Sequence, residues 1–188
     1  MTPERGRLLL DLARAAISEE WGGPKMSRPA QEAWLEEPAA LFVSLHRQGE
    51  LRGCIGTMEA RHPLFEEVID KAKAAAFHDP RMAPVRSEEL PELDIDITLL
   101  HPLEPIAAGS EEELLRQLRP GRDGLVLQSR EGRALFIPSV WKQLPDPGAF
   151  LQALMHKAQL RRWPPDLRAF RFTADEVSSA AVEASHGG

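Results

Sequence analysis

Two stretches of this chain alternate with a period of two, and that pattern limits the fold more than any other feature. From Ala40 to Arg47, Leu41, Val43 and Leu45 alternate with Phe42, Ser44 and His46. Farther on, Leu93, Ile95, Ile97 and Leu99 alternate with Asp94, Asp96 and Thr98. Successive side chains of a strand point to opposite faces, so each stretch predicts a strand with one buried and one wet face. Strands of this kind belong in antiparallel sheet covered on one side. The neighbouring helices carry the matching apolar stripes. Leu8, Leu9, Leu12, Ala15 and Ala16 line one face of a helix over 3–20, with Thr2 as N-cap and Pro3 in its first turn. Leu64, Val68, Ala72, Ala75 and Ala76 do the same over Pro63 to Phe77, and the alanines of its second half suit close approach to a sheet.

The order is helix, strand, strand, helix, strand, and it recurs. Ser110-Glu111-Glu112-Glu113 is a capping box before a short helix. Gly124–Gln128 and Arg133–Pro138 make a second hairpin around Arg130-Glu131-Gly132, Asp146-Pro147 caps a helix through Ala158, and Leu167–Phe172 is a last strand. The fold class expected is α+β: two pseudo-repeated helix–hairpin–helix–strand units forming mainly antiparallel sheet flanked by helices. They cover about 2–107 and 108–176, closely packed within a single domain spanning 1–180, and 177–188 reads as a flexible tail.

Charge and composition remove several function classes. The net charge is −6 and the isoelectric point about 5.6, with basic residues scattered among acids, so general nucleic-acid binding is not expected. No apolar run reaches membrane-spanning length, and the N-terminus reads as an amphipathic helix, not a signal peptide. One cysteine cannot form an internal disulfide, which suits a reducing, cytoplasmic compartment. The histidines at 46, 62, 78, 101, 156 and 186 do not pair at ligand spacing, so no metal is expected, and no Gly-rich phosphate loop or nucleophile elbow calls for a cofactor. Trp141 and Trp163 read as packing residues.

That single cysteine sits in Leu51-Arg52-Gly53-Cys54-Ile55-Gly56, the return strand of the first hairpin. Leu41, Val43 and Leu45 should share a face with Leu51 and Ile55, which a three-residue loop Arg47-Gln48-Gly49 with Gly49 left-handed would deliver. Leu45 then faces Leu51, Leu41 faces Ile55, Ser44 lies opposite Arg52 and Phe42 opposite Cys54. Cys54 thereby shares a face with Ser44, His46 and Arg52. Gly53 and Gly56 mark either bare backbone open to a ligand or a place where a helix packs tightly, and the residues alone do not choose. His78-Asp79-Pro80-Arg81 ends the second helix. Its polar groups either fix the loop as an ion pair or join the hairpin's polar face.

The hexad has company. "LRGCIGT", "AKAAAFHDPRM", "ELPELDIDITLL", "GLVLQSREGRALFIPSV" and "FLQALMHKAQL" follow one another in an order that resembles the AMMECR domain family over about residues 3 to 176. The hexad matches without departure. Met82 stands where the family's Asp-x-Arg-Phe block has phenylalanine, and Gln159 where Lys-Ala-Gly has glycine. The resemblance implies an α+β fold of two unequal parts. It also implies membership of the AmmeMemoRadiSam system, with Memo-like and radical-SAM proteins as partners, and it brings no established reaction.

Two functional readings follow, one catalytic and one of binding. In the first, Cys54 is a nucleophile or redox thiol, Arg52 supplies positive charge and a histidine, His46 foremost with His62 and His78 as alternatives, moves protons for a small-molecule or protein substrate. In the second, Gly53 and Gly56 open the backbone while Arg52 and Arg81 take a carboxylate or phosphate, with Ser44, His78 and Asp79 around them and Cys54 a packing residue. A scaffold whose hexad only shapes the hairpin is the plain alternative.

Overall fold

The computed structural model describes residues 1–184. It divides into two compact units, residues 1–100 with 175–184, and residues 101–174. The division falls at Leu100/His101, ahead of the expected 107/108, and the C-terminal segment returns to the first unit. Of the expected tail, 177–184 lies in a strand and a helix, and the rest lies outside the described residues.

In the first unit, α1 (Pro3–Ser18) starts where expected, with Thr2 Oγ1 accepting from the Arg5 N–H. The hairpin β1 (Pro38–Arg47) and β2 (Glu50–Gly56) leads through a two-residue strand, β3 (His62–Pro63), into α2 (Leu64–Phe77) and then β4 (Leu93–Leu100). The second unit carries β5 (Glu104–Ile106), α3 (Glu111–Gln117), the hairpin β6 (Gly124–Gln128) and β7 (Arg133–Phe136), α4 (Pro147–Lys157) and β8 (Arg168–Phe172). The chain closes with β9 (Ala174–Ser178) and α5 (Ser179–Ala184).

Both sheets have one plan. The first runs β2-β1-β4-β9, with β3 beside β1, and the second β7-β6-β8-β5. In each, the first hairpin strand is central, with its partner on one side and the strand after the second helix on the other. The outermost strands are exchanged: β5 follows β4 in the chain but pairs with β8, and β9 follows β8 but pairs with β4. β1 is antiparallel to β2 and β4, and β6 to β7 and β8, which establishes the α+β class with mainly antiparallel sheet.

Burial follows the alternation except at the end of β4, where Thr98 is buried and Leu99 only partly so. Leu41, Val43, Leu45, Ile95 and Ile97 are fully buried against Leu9, Leu12, Ile17 and Val68 of α1 and α2. In the second unit Leu125 and Leu127 pack with Leu114, Phe150, Leu151 and Leu154, and the Trp141 ring stacks on Phe150 at a centroid distance of 3.8 Å. Trp141 donates to the Asp123 carbonyl at 2.7 Å, so its indole is a core residue with its polar tip satisfied. Ser110 caps α3 as expected, but the return arm of the box lands one residue early, Glu113 accepting from the Gly109 N–H.

The first hairpin corrects the expected register. Its loop is a two-residue turn, Gln48-Gly49, with φ of 53° and 82°. Both values are positive, the geometry of the tight turns that match strand twist. Arg47 pairs with Glu50 and His46 with Leu51, after which the register shifts and Leu45 pairs with Gly53, Ser44 with Cys54, Val43 with Ile55 and Phe42 with Gly56. Arg52 is the extra residue, a β-bulge. The two-residue loop alone would turn the apolar row of β2 outward. The bulge restores the parity, so Ile55 joins the buried row while Leu51, ahead of the bulge, stays 40% exposed.

Candidate functional site

Cys54 lies on the face of the first sheet opposite its helices, in a row of polar side chains crossing three strands. Ser44 is its direct neighbour on β1, and the Ser44 hydroxyl donates to the Cys54 sulfur at 3.2 Å. Ser44 pairs on its other side with Asp96 of β4, and Asp96 Oδ2 lies 3.0 Å from His46 Nδ1. The expected company of Ser44, His46 and Cys54 on one face is present. Asp96 completes it, holding one imidazole nitrogen so that the other is turned from it. Its place on the wet face was readable in the alternation, but its pairing with Ser44 needed the β1–β4 register, which the sequence does not carry.

β2 is an edge strand, and an edge exposes backbone donors and acceptors. At Cys54 the edge is closed by side chains. The Cys54 N–H donates to Asp79 Oδ2 at 2.9 Å, and its carbonyl accepts from Arg81 Nη2 at 2.9 Å. Asp79 and Arg81 are themselves joined, Nε to Oδ1 at 2.9 Å and Nη2 to Oδ2 at 2.6 Å. The loop-fixing ion pair and the polar cluster at the hairpin are thus one arrangement. The Arg81 hydrogen bond, aided by the N–H groups of Cys54 and Arg81, holds the buried Asp79 carboxyl far below the usual range, against the effect of burial. The Arg81 pKa is raised, first by the Asp79 hydrogen bond and, less strongly, by the Cys54 side chain beside it.

Arg52 goes elsewhere. Its bulged position carries the guanidinium to Glu89, with Nε on Oε1 at 2.9 Å and Nη2 on Oε2 at 3.0 Å, and to the carbonyls of Ala83 and Pro84. It does not lie opposite Ser44, and all three of its nitrogens are engaged. The Arg52 hydrogen bond, with the Arg86 N–H and the charges of Arg52 and Arg47, lowers the buried Glu89 carboxyl to about 2 despite its burial. Nothing in the sequence flags Glu89, which follows Arg52 by 37 positions.

The two glycines are not bare. A Cβ on Gly53 would land on the Ala75 carbonyl oxygen, so α2 crosses β2 at backbone contact, and a Cβ on Gly56 would strike the Phe42 ring. His78 caps the C-terminal end of α2, its N–H on the Ala74 carbonyl, and its side chain is exposed with no hydrogen bond to the hairpin. Of the residues singled out, the structure brings Ser44, His46, Cys54, Asp79 and Arg81 together, turns Arg52 to a separate anchor, and leaves His78 outside. Among the described residues no helix is long and apolar enough to cross a membrane.

A two-unit α+β fold with this sealed cysteine edge defines a class, and comparison with known proteins gives the class its family. A family model described as AMMECR1 matches residues 10–177, and the chain belongs to that family. A protein of Methanothermobacter thermautotrophicus is 34% identical over 93% of this chain and 94% of its own, and one of Thermococcus gammatolerans is 39% identical over 92% and 89%. The crystal structure of an uncharacterised protein from Pyrococcus horikoshii superposes with a TM-score of 0.84 at 33% identity, covering 95% of this chain and 93% of that one.

Proposed function

We propose that the protein works through Cys54 as a nucleophilic thiol, acting on an electrophilic group of a small molecule or partner protein within an AmmeMemoRadiSam system that includes Memo-like and radical-SAM proteins. One observation carries this reading: the Asp79–Arg81 pair grips both backbone polar groups of Cys54, which sets a guanidinium at that residue, while Ser44 donates to its sulfur. A neighbouring cation and a hydrogen bond to sulfur are the surroundings in which reactive thiols are found. The sulfur gives its electron pair to an electrophilic carbon, the leaving group departs with the pair that bound it, and a base takes the thiol proton. His46, held by Asp96, is the base on that face.

The test is alkylation of Cys54 by iodoacetamide at pH 7 in folded and urea-unfolded protein. The reading expects faster reaction in the folded state, slowed in Arg81→Ala and kept in Arg81→Lys. Reaction only on unfolding overturns it. A non-catalytic binding reading is favoured by Arg81 itself, whose side chain is 57% exposed and whose Nη1 makes no hydrogen bond among the described residues. That nitrogen suits a carboxylate or phosphate. On this reading Cys54→Ser keeps function and Arg81→Ala loses it.

A further inference from the structure

The first unit has a concave site apart from Cys54 and unconnected with its reading. A cavity of about 320 Å³ lies at the beginning of α2, lined by His62, Glu66, Glu67, Asp70 and Lys71. Its volume falls at the small end of ligand pockets. Its floor is the unusual part. Glu67 occupies the buried stripe of the helix between Leu64 and Val68, and its side chain is only 4% exposed.

Buried carboxylate oxygens are almost always hydrogen-bonded, since burial without a partner costs the whole hydration of the group. Glu67 Oε2 is buried and accepts no hydrogen bond among the described residues. Lys71, one helical turn on, brings Nζ to 3.3 Å, close enough for ionic attraction, but its hydrogen bond goes to Asp70 Oδ2 at 2.7 Å. The lining holds three carboxylates against one ammonium, with His62 at the rim, so it favours positive charge. Among the described residues no group of three or more His, Cys, Asp or Glu side chains could hold a metal ion. Lys71 reaches Glu67 Oε2 as an ion pair at 3.3 Å but not in hydrogen-bonding geometry, and a further charged N–H donor would complete it.

We infer that the cavity formed by His62, Glu66, Glu67, Asp70 and Lys71 binds an alkylammonium or guanidinium group, which donates its hydrogen bond to Glu67 Oε2. Glu66 and Asp70 stand at the mouth and draw the cation in, and Glu67 fixes it. The same chemistry arrives from two sources, a free small amine or the lysine or arginine side chain of another protein.

The test is a titration of the full chain followed by amide nitrogen–proton NMR. Putrescine represents the free amine and Nα-acetyl-lysine amide the protein side chain. Tetramethylammonium, charged but without an N–H, is the control. Saturable shifts confined to residues 62–71, with the stronger of the first two ligands naming the source, support the inference. Glu67→Gln, which keeps shape and removes charge, should weaken binding by about tenfold, the worth of a hydrogen bond to a charged group. Its retained amide dispersion shows that the fold persists, and Glu66→Gln, at the exposed mouth, should weaken binding less. Absence of localised shifts, equal binding of tetramethylammonium, or unchanged affinity in Glu67→Gln would each overturn the inference. These outcomes are independent of any result at Cys54, which lies outside the titrated segment.

Discussion

Replacing Glu89 by glutamine should cost most of its effect at neutral pH and little in acid. Glu89 has a side chain only 6% exposed, accepts from Arg52 through both carboxylate oxygens and takes the Arg86 N–H at 2.8 Å. Those contacts hold its pKa at about 2, against an ordinary 4.5. The folded value lies below the unfolded one, so the contribution to stability is complete above about pH 4.5 and fades as pH falls toward 2. The difference between the two values, at about 1.36 kcal/mol per unit, gives about 3 kcal/mol at pH 7. Glu89→Gln keeps the volume and removes the charge, and should lower stability at pH 7 by a comparable amount. The assay is urea unfolding of both proteins at steps from pH 7 to pH 2.5. The gap between them should hold to about pH 5 and narrow below it, since the native protein then loses what the variant already lacks. Asp79, whose pKa is lowered in the same direction, remains in both proteins and cancels in the difference. A gap that stays constant through the acid range, or is missing at pH 7, would refute the account of Arg52 as an anchor between the β2 bulge and the 83–89 loop.

Gly53→Ala should destabilise by about 1–3 kcal/mol or prevent folding, because the added methyl meets the Ala75 carbonyl, backbone that cannot swing aside; thermal unfolding measures it. Arg81→Ala should slow alkylation of Cys54 by roughly tenfold while Arg81→Lys keeps the native rate, as followed by mass spectrometry. Gln159→Gly should stabilise by about 0.5–1 kcal/mol, seen as a higher Tm. Gln159 has a φ of 61° in the left-handed position that ends α4, where the Leu160 N–H returns to the Met155 carbonyl, and glycine takes that conformation without the side-chain penalty.

Much of the fold was legible because it rests on local periodicity. The alternation in 40–47 and 93–97 marks strands with the buried row observed, though Thr98 is buried and Leu99 only partly so, and Thr2, Ser110 and Asp146 each cap the helix expected of them. The hairpin shows where local reasoning stops. Parity required Ile55 to face the core, and it does, but a three-residue loop and a two-residue loop with a bulge both satisfy that requirement. The structure takes the bulge, and from it Arg52 reaches Glu89, a contact no local pattern announces. The exchange of β5 and β9 was invisible for a similar reason: strands of three and five residues carry almost no periodicity, and their partners are set by sheet edges made elsewhere. The sequence does hold a pointer to Glu67, a carboxylate three positions after Leu64 within a buried stripe.

The repeated plan of the two units separates what the hexad does for folding from what it offers chemically. In the second unit, Gly132 at the β6–β7 hairpin meets the Ala158 carbonyl at the end of α4 as Gly53 meets Ala75. A glycine where a helix backbone crosses the hairpin therefore belongs to the architecture, since both units need it and only one carries a cysteine. Leu51 and Arg52 are explained by the bulge and its anchor, and Gly56 by the Phe42 ring. Cys54 is the residue left over. Its side chain is not in the buried row, its backbone is gripped by a carboxylate–guanidinium pair that β7 does not have at its edge among the described contacts, and its sulfur faces a hydroxyl. Folding alone would be served there by a small apolar side chain. If Cys54→Ala leaves stability unchanged within about 0.5 kcal/mol while abolishing reaction with iodoacetamide and any partner-dependent modification, the clamp exists for the thiol. If the same substitution costs 1–2 kcal/mol, the cysteine is packing, and Arg81 is the group around which a binding function should be sought.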